Sequence, residues 1–93
     1  MSKIILKGYI EIPDSDLLEI KKELPRHIEL TLNEKGCLAF NVTQDDVKSN
    51  VYHVYEEFAD RVSFERHQNR VASSHWAKLS KGVKRHYQVT EES

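Results

Sequence analysis

Val51-Tyr52-His53-Val54-Tyr55-Glu56-Glu57-Phe58-Ala59-Asp60 is the stretch that decides the fold. A run of valines and aromatics favours a strand, and the Asp60 that follows it is a helix-capping residue type. Strand side chains alternate between faces, so Tyr52, Val54, Glu56 and Phe58 share one face and Val51, His53, Tyr55 and Glu57 the other. One of the two adjacent glutamates therefore points inward. The helix opened by Asp60 runs to about Arg70 and carries Phe64 and His67. A second helical piece near Ser73 to Ser80 holds His75 and Trp76 and is ended by Gly82. Nowhere else do titratable, aromatic and apolar residues stand close enough together to line a pocket.

Upstream, Lys3 to Ile12 alternates weakly and reads as a first strand closed by Pro13. Pro13-Asp14-Ser15-Asp16 starts a helix, with Asp14 or Ser15 placed to accept from free N–H groups of its first turn. Leu17, Ile20, Leu24, Ile28 and Leu32 recur down one face of that helix. Pro25 lacks an N–H and crowds the preceding turn, which predicts a kink or break near Glu23 to Leu24. Asn33 to Gly36 stops the helix, Gly36 being suited to a left-handed backbone. Cys37 to Thr43 alternates imperfectly as a second strand, a polar turn leads to the third, and Arg85 to Val89 supplies the last. The order β-α-β-β-α-β is that of the α+β ferredoxin-like arrangement, in one domain over residues 1–93.

Composition narrows the function classes. Charged residues make up 31% and the net charge is -1, so no basic field exists to hold a nucleic acid. The apolar run Ile4 to Leu6 is far shorter than a signal peptide's apolar region or a membrane span, which points to a cytoplasmic protein with no membrane partner. The single cysteine, Cys37, has no thiol partner and reads as a small buried strand residue in a reducing compartment.

Chemistry is therefore sought in the histidines, since there is no Gly-rich phosphate loop, CxxC pair or nucleophile elbow. On one unbroken helix, His67 and His75 would stand about 12 Å apart along the axis, too far to ligate one metal, so no metal is expected. A histidine beside an inward Glu56 suits general acid or base work, because imidazole titrates near neutrality and a carboxylate can orient it. His67 fits either that role or a structural hydrogen bond, while His27, His53 and His86 read as structural or surface residues. Trp76, Phe58, Phe64, Tyr52 and Tyr55 could wall a flat organic ligand. Packing alone would also explain Phe58 and Phe64.

Three segments, Glu34-Lys35-Gly36-Cys37-Leu38-Ala39-Phe40-Asn41-Val42, Val54-Tyr55-Glu56-Glu57-Phe58-Ala59-Asp60 and Phe64-Glu65-Arg66-His67, closely resemble the antibiotic biosynthesis monooxygenase domain family, which includes small quinol monooxygenases. The resemblance implies a ferredoxin-like subunit that pairs into a dimeric α/β barrel, with a pocket between sheet and helices. It implies cofactor-free oxidation of a small aromatic quinol or phenol by dioxygen, the substrate anion itself activating oxygen. Glu56 then matches the family's strand-end glutamate, His67 the histidine of the following helix, and His75 with Trp76 the second histidine and its apolar neighbour. Haem-degrading relatives use an asparagine on the first strand, and Lys3 to Ile12 contains none.

The resulting expectation is a homodimeric, cofactor-independent monooxygenase with His67 or His75 as base, Glu56 beside it, and Trp76, Tyr55, Phe58 and Tyr52 contacting substrate. Two other readings stand beside it. One is an isomerase or tautomerase of a small carbonyl compound, with Arg61, Arg66 or Arg70 as anion contacts. The other is a non-catalytic dimeric ligand-binding module, because a fold alone does not certify a site.

Overall fold

Ile4, Leu6, Ile10 and Ile12, at alternate positions in and just after the first strand, are each 4% exposed or less, and they set the level of the core. The computed structural model describes residues 2–92. Strand β1 (Lys3–Glu11) is followed by helix α1 (Leu17–Leu32), strands β2 (Cys37–Gln44) and β3 (Val51–Phe58), helices α2 (Arg61–Ala72) and α3 (His75–Leu79), and strand β4 (Lys84–Glu92). The sheet order is β2-β3-β1-β4 with antiparallel neighbours throughout. This is the expected ferredoxin-like arrangement. Its helices lie on one face, over a core that joins Leu6, Ile10 and Ile12 to Ile20, Leu24, Tyr52, Val54, Trp76 and Val83.

Local chemistry explains the boundaries. Asp60 caps α2 by accepting from the Ser63 N–H at 2.8 Å, and Ser74 caps α3 by accepting from Ala77 at 3.3 Å, each satisfying a free first-turn donor. Gly36 has φ 90°, a backbone most side chains avoid, and a Cβ there would collide with the Ser63 side chain. The imperfect alternation of β2 comes from a bulge between Cys37 and Ala39, which puts one extra residue opposite its partner. Cys37 itself is half-buried.

Helix α1 departs from expectation in three ways. Its start has no side-chain cap from Asp14 or Ser15. A 3-10 turn over Asp14–Asp16 precedes it instead, closed by Asp16 N–H to Pro13 O at 2.9 Å. The helix also continues through Pro25 without a break. Pro25 and Lys21 lie on the exposed side, where water can satisfy the Lys21 carbonyl that loses its donor. The buried face is Ile20, Leu24, His27 and Thr31, with Leu32 exposed. At about 100° per residue His27 and Thr31 fall within roughly 20° of Ile20, whereas Leu32 falls roughly 120° away.

Among the described residues, the other face of the sheet carries no helix. Lys3–Glu57, His53–Asp45 and His86–Glu11 pairs lie across it, and Tyr9 stacks on His86. Among the described residues no helix is long and apolar enough to cross a membrane.

Candidate active site

Parity along β3 delivers Glu56 to the helix-covered side, directly across from Leu6 on β1 and Phe40 on β2. It is 5% exposed, and its Oε1 has no hydrogen-bond partner. Burial, and then the nearby Glu34 carboxylate, push its pKa up to about 7. Two turns into α2, His67 descends onto the same spot. The ring is 3% exposed, tilted over Phe58 at 4.9 Å and edge-on to Phe40 at 5.9 Å between centroids.

Two carboxylates flank this ring, at different ranges. Glu34, from the turn before β2, accepts a 2.8 Å hydrogen bond from Nδ1. Arg70 holds that carboxylate in place with Nε at 3.0 Å and Nη2 at 2.8 Å, and also donates to Thr31. Glu56 Oε1 stands 3.7 Å from Nε2, beyond a hydrogen bond. The carboxylate that orients the histidine is thus Glu34, where Glu56 had been expected. With the proton of neutral imidazole assigned to Nδ1 by this pair, Nε2 is left as the basic nitrogen. Burial lowers the His67 pKa, and the Glu34 hydrogen bond works against that shift, so the ring is neutral and ready to accept a proton at neutral pH.

A cavity of about 230 Å³ opens beside the pair. Leu6, Val71 and Trp76 give it apolar walls, and Glu56, His67, His27, Gln68, Arg85 and Tyr87 its polar ones. The volume is below the roughly 300–1,000 Å³ of drug-sized sites, which suits a small ligand. Tyr87 reaches the cavity because β4 pairs with this chain's own β1, Tyr87 lying opposite Gly8. The residue is 40% exposed, yet burial of its hydroxyl end raises its pKa to about 12. It therefore stays a neutral donor.

Of the residues singled out from sequence, Glu56, His67 and Trp76 come together at this cavity. Phe58 is fully buried beneath His67, and Tyr52 is a core residue. Neither lines the cavity. Tyr55 lies on the open face, donating to Glu57 at 2.6 Å; strand alternation puts it opposite Glu56, so it cannot wall the same pocket. His75 is exposed at the start of α3 and lines a separate cleft with Arg26, Arg70 and Leu30. The helix break at Ser73–Ser74 turns it away from His67. Arg61 pairs with Glu91 and Arg70 with Glu34, so Arg85 is the arginine that lines the inner cavity. Glu34 was not singled out, and His27, read as a structural or surface residue, is buried and also lines the cavity. The strict period of α1 points to His27, whereas no local signal marks Glu34, which meets a residue 33 positions away.

His27 is 6% exposed and stacked on Trp76 at 4.4 Å with ring planes 5° apart. Burial, followed by the neighbouring His67, drives its pKa down to about 3, so it is neutral. Among the described residues no group of three or more His, Cys, Asp or Glu is placed to hold a metal ion.

Comparison with known proteins adds the lineage. The antibiotic biosynthesis monooxygenase family profile matches residues 4–79. A protein of Nitrosomonas europaea assigned to antibiotic biosynthesis monooxygenases is similar at TM-score 0.76 and 15% identity, over 100% of this chain and 97% of its own. SnoaB of Streptomyces nogalater, a cofactor-independent oxygenase, is similar at TM-score 0.75 and 10% identity, over 97% and 92%. A conserved protein of Methanosarcina mazei Go1 reaches 22% identity at TM-score 0.72, over 98% and 91%. At such identities the likeness is one of fold. No curated protein matches the chain.

Proposed function

The chain belongs to the antibiotic biosynthesis monooxygenase family, and from that premise we propose that it is a cofactor-independent monooxygenase of a small aromatic quinol or phenol. The observation that carries this reading is the 3.7 Å gap between His67 Nε2 and an unpartnered Glu56 Oε1 at the edge of the cavity. A buried acceptor without a partner costs about 1–3 kcal/mol. A substrate hydroxyl drawing toward both groups would remove that penalty.

In the proposed reaction His67 Nε2 takes the hydroxyl proton, and Glu34 stabilises the resulting imidazolium through Nδ1–H. The electron-rich aromatic anion passes electrons to dioxygen and a carbon–oxygen bond forms at the ring. Cleavage of the oxygen–oxygen bond leaves one oxygen on carbon as a carbonyl and releases the other as water. The organic molecule thus loses two hydrogens and gains one oxygen, and dioxygen is fully reduced. Leu6, Val71 and Trp76 provide the apolar side on which dioxygen would meet the anion.

Two features of the assembly and setting belong to the same proposal. The helix-free face of so small a domain, with Tyr9 exposed on it, suits a second copy of the chain, giving a homodimer that light scattering at micromolar concentration would detect. A lone, half-buried Cys37 suits a reducing, cytoplasmic setting.

Turnover of 1,4-dihydroxynaphthalene by metal-stripped protein under oxygen-18 gas tests the reaction class. The expected product carries one labelled oxygen atom. Unlabelled product of unchanged mass would mean isomerisation, and absence of turnover across a panel of quinols and phenols would leave a binding module.

A further inference from the structure

His27 is a polar side chain in a place that an apolar one would fill more cheaply. Its Nδ1 is buried with no hydrogen-bond partner, and its neighbours are rings: Trp76 stacked at 4.4 Å, Phe40 edge-on at 5.5 Å and His67 at 6.5 Å. Unpaired buried donors and acceptors are rare in native proteins and cost free energy wherever they remain. A leucine or phenylalanine here would extend the core formed by Ile20 and Leu24 without that penalty.

The position of the ring suggests its use. Together with Trp76 it forms the partition between the inner cavity and the cleft that holds His75. Within the inner cavity it is a neighbour of His67 and shares the lining with Glu56. With ring centroids 6.5 Å apart, His27 and His67 leave no room for a ligand between them, but a flat aromatic lying along the wall they share can present one oxygen to each ring. We infer that His27 is a substrate-contacting residue that hydrogen-bonds a second oxygen of the aromatic substrate, selecting dihydroxy aromatics over monohydroxy ones. The inference rests on the reading of the cavity as an aromatic-substrate site.

The low basicity of His27 fits this role. A ring that stays neutral down to about pH 3 keeps one N–H and one lone pair throughout the physiological range. It can therefore give or accept a hydrogen bond without taking the proton intended for His67. Stacking on Trp76 fixes the ring plane, so selection does not depend on a mobile side chain.

Trp76 is the only tryptophan in the chain, and its fluorescence therefore reports this site. Titration under anaerobic conditions, where no oxidation occurs, with 1,4-dihydroxynaphthalene and with 1-naphthol separates binding from turnover. The parent protein should bind the diol about tenfold more tightly than the monohydroxy compound, the effect of one added hydrogen bond. His27→Phe, which keeps a ring on Trp76, should bind both alike, and His27→Gln should recover part of the difference. Equal affinities in the parent, or undiminished preference in both variants, overturn the role of His27 while leaving the reaction class intact. Failure of the parent to bind either compound removes the aromatic-substrate reading and this inference with it.

Discussion

On the open face of the sheet, His53 meets Asp45 and His86 meets Glu11, each pair 2.7 Å apart with both partners partly exposed. On the helix-covered face His67 meets Glu34 at 2.8 Å with side-chain exposures of 4% and 15%. The residue types and distances are nearly the same, and the consequences are opposite. Outside, Asp45 is pulled down to about 2 by backbone N–H donors from Lys48 and by His53 and Val47, so its charged form is the favoured one. Inside, Glu56 is pushed up to about 7 and His27 down to about 3, so both resist charging. Burial, rather than the presence of a histidine beside a carboxylate, is what sets the inner cluster apart.

Stability against pH should show the contrast most strongly. His27 has a folded pKa below its free value of 6.5, so the stabilisation linked to its neutral form is present above pH 6.5 and is lost as pH falls toward 3. The loss reaches as much as about 5 kcal/mol. Glu56 acts in the other direction. Its folded pKa is raised, so its contribution is full below pH 4.5 and is lost as pH rises through about 7, by about 3 kcal/mol. Denaturant unfolding across pH 3–9 should give a maximum between these limbs. His27→Phe should flatten the acid limb and Glu56→Gln the alkaline one. Limbs unchanged by these substitutions would place the titrating groups elsewhere.

Removing the orienting charge should come next in size. Glu34→Gln keeps an acceptor for His67 Nδ1–H but loses the charge that stabilises the imidazolium, and should reduce quinol turnover roughly 100-fold, within the usual general-base range. Circular dichroism should remain that of the parent. A rate within twofold of the parent would reduce Glu34 to a structural brace.

The smallest effect belongs to the open face. His86→Ala removes an exposed pair with Glu11 and should leave the melting temperature within roughly 3 °C of the parent. A much larger fall would show that this pair is itself buried where the proposed second copy meets the face, turning the contrast into one between a pocket and an interface.

The sequence makes the framework readable where local chemistry is decisive. Strand β3 ends at Val51 and Phe58 because polar turn residues and Asp60 bound an unmixed run of strand formers. Gly36 sits at the positive φ its residue type announces. The site was only half legible. Parity put one of Glu56 and Glu57 inside, and the same parity separates Tyr55, which aromatic character alone had promoted, from Glu56. Strict helical period would have selected His27 and Thr31 over Leu32. Glu34 could not be found this way, since its contact with His67 closes only when α2 folds back over the turn before β2. Pro25 shows the converse: its local rule predicts a break, and a solvent-facing position removes the penalty.

Oxygen uptake on 1,4-dihydroxynaphthalene, measured side by side for the parent, His67→Ala and His86→Ala, tests the central claim most directly. A loss of roughly 100-fold or more is expected with His67→Ala, and a parent-like rate with His86→Ala. Retained uptake in His67→Ala, or an equal fall in both variants, would contradict the assignment of chemistry to the buried cluster.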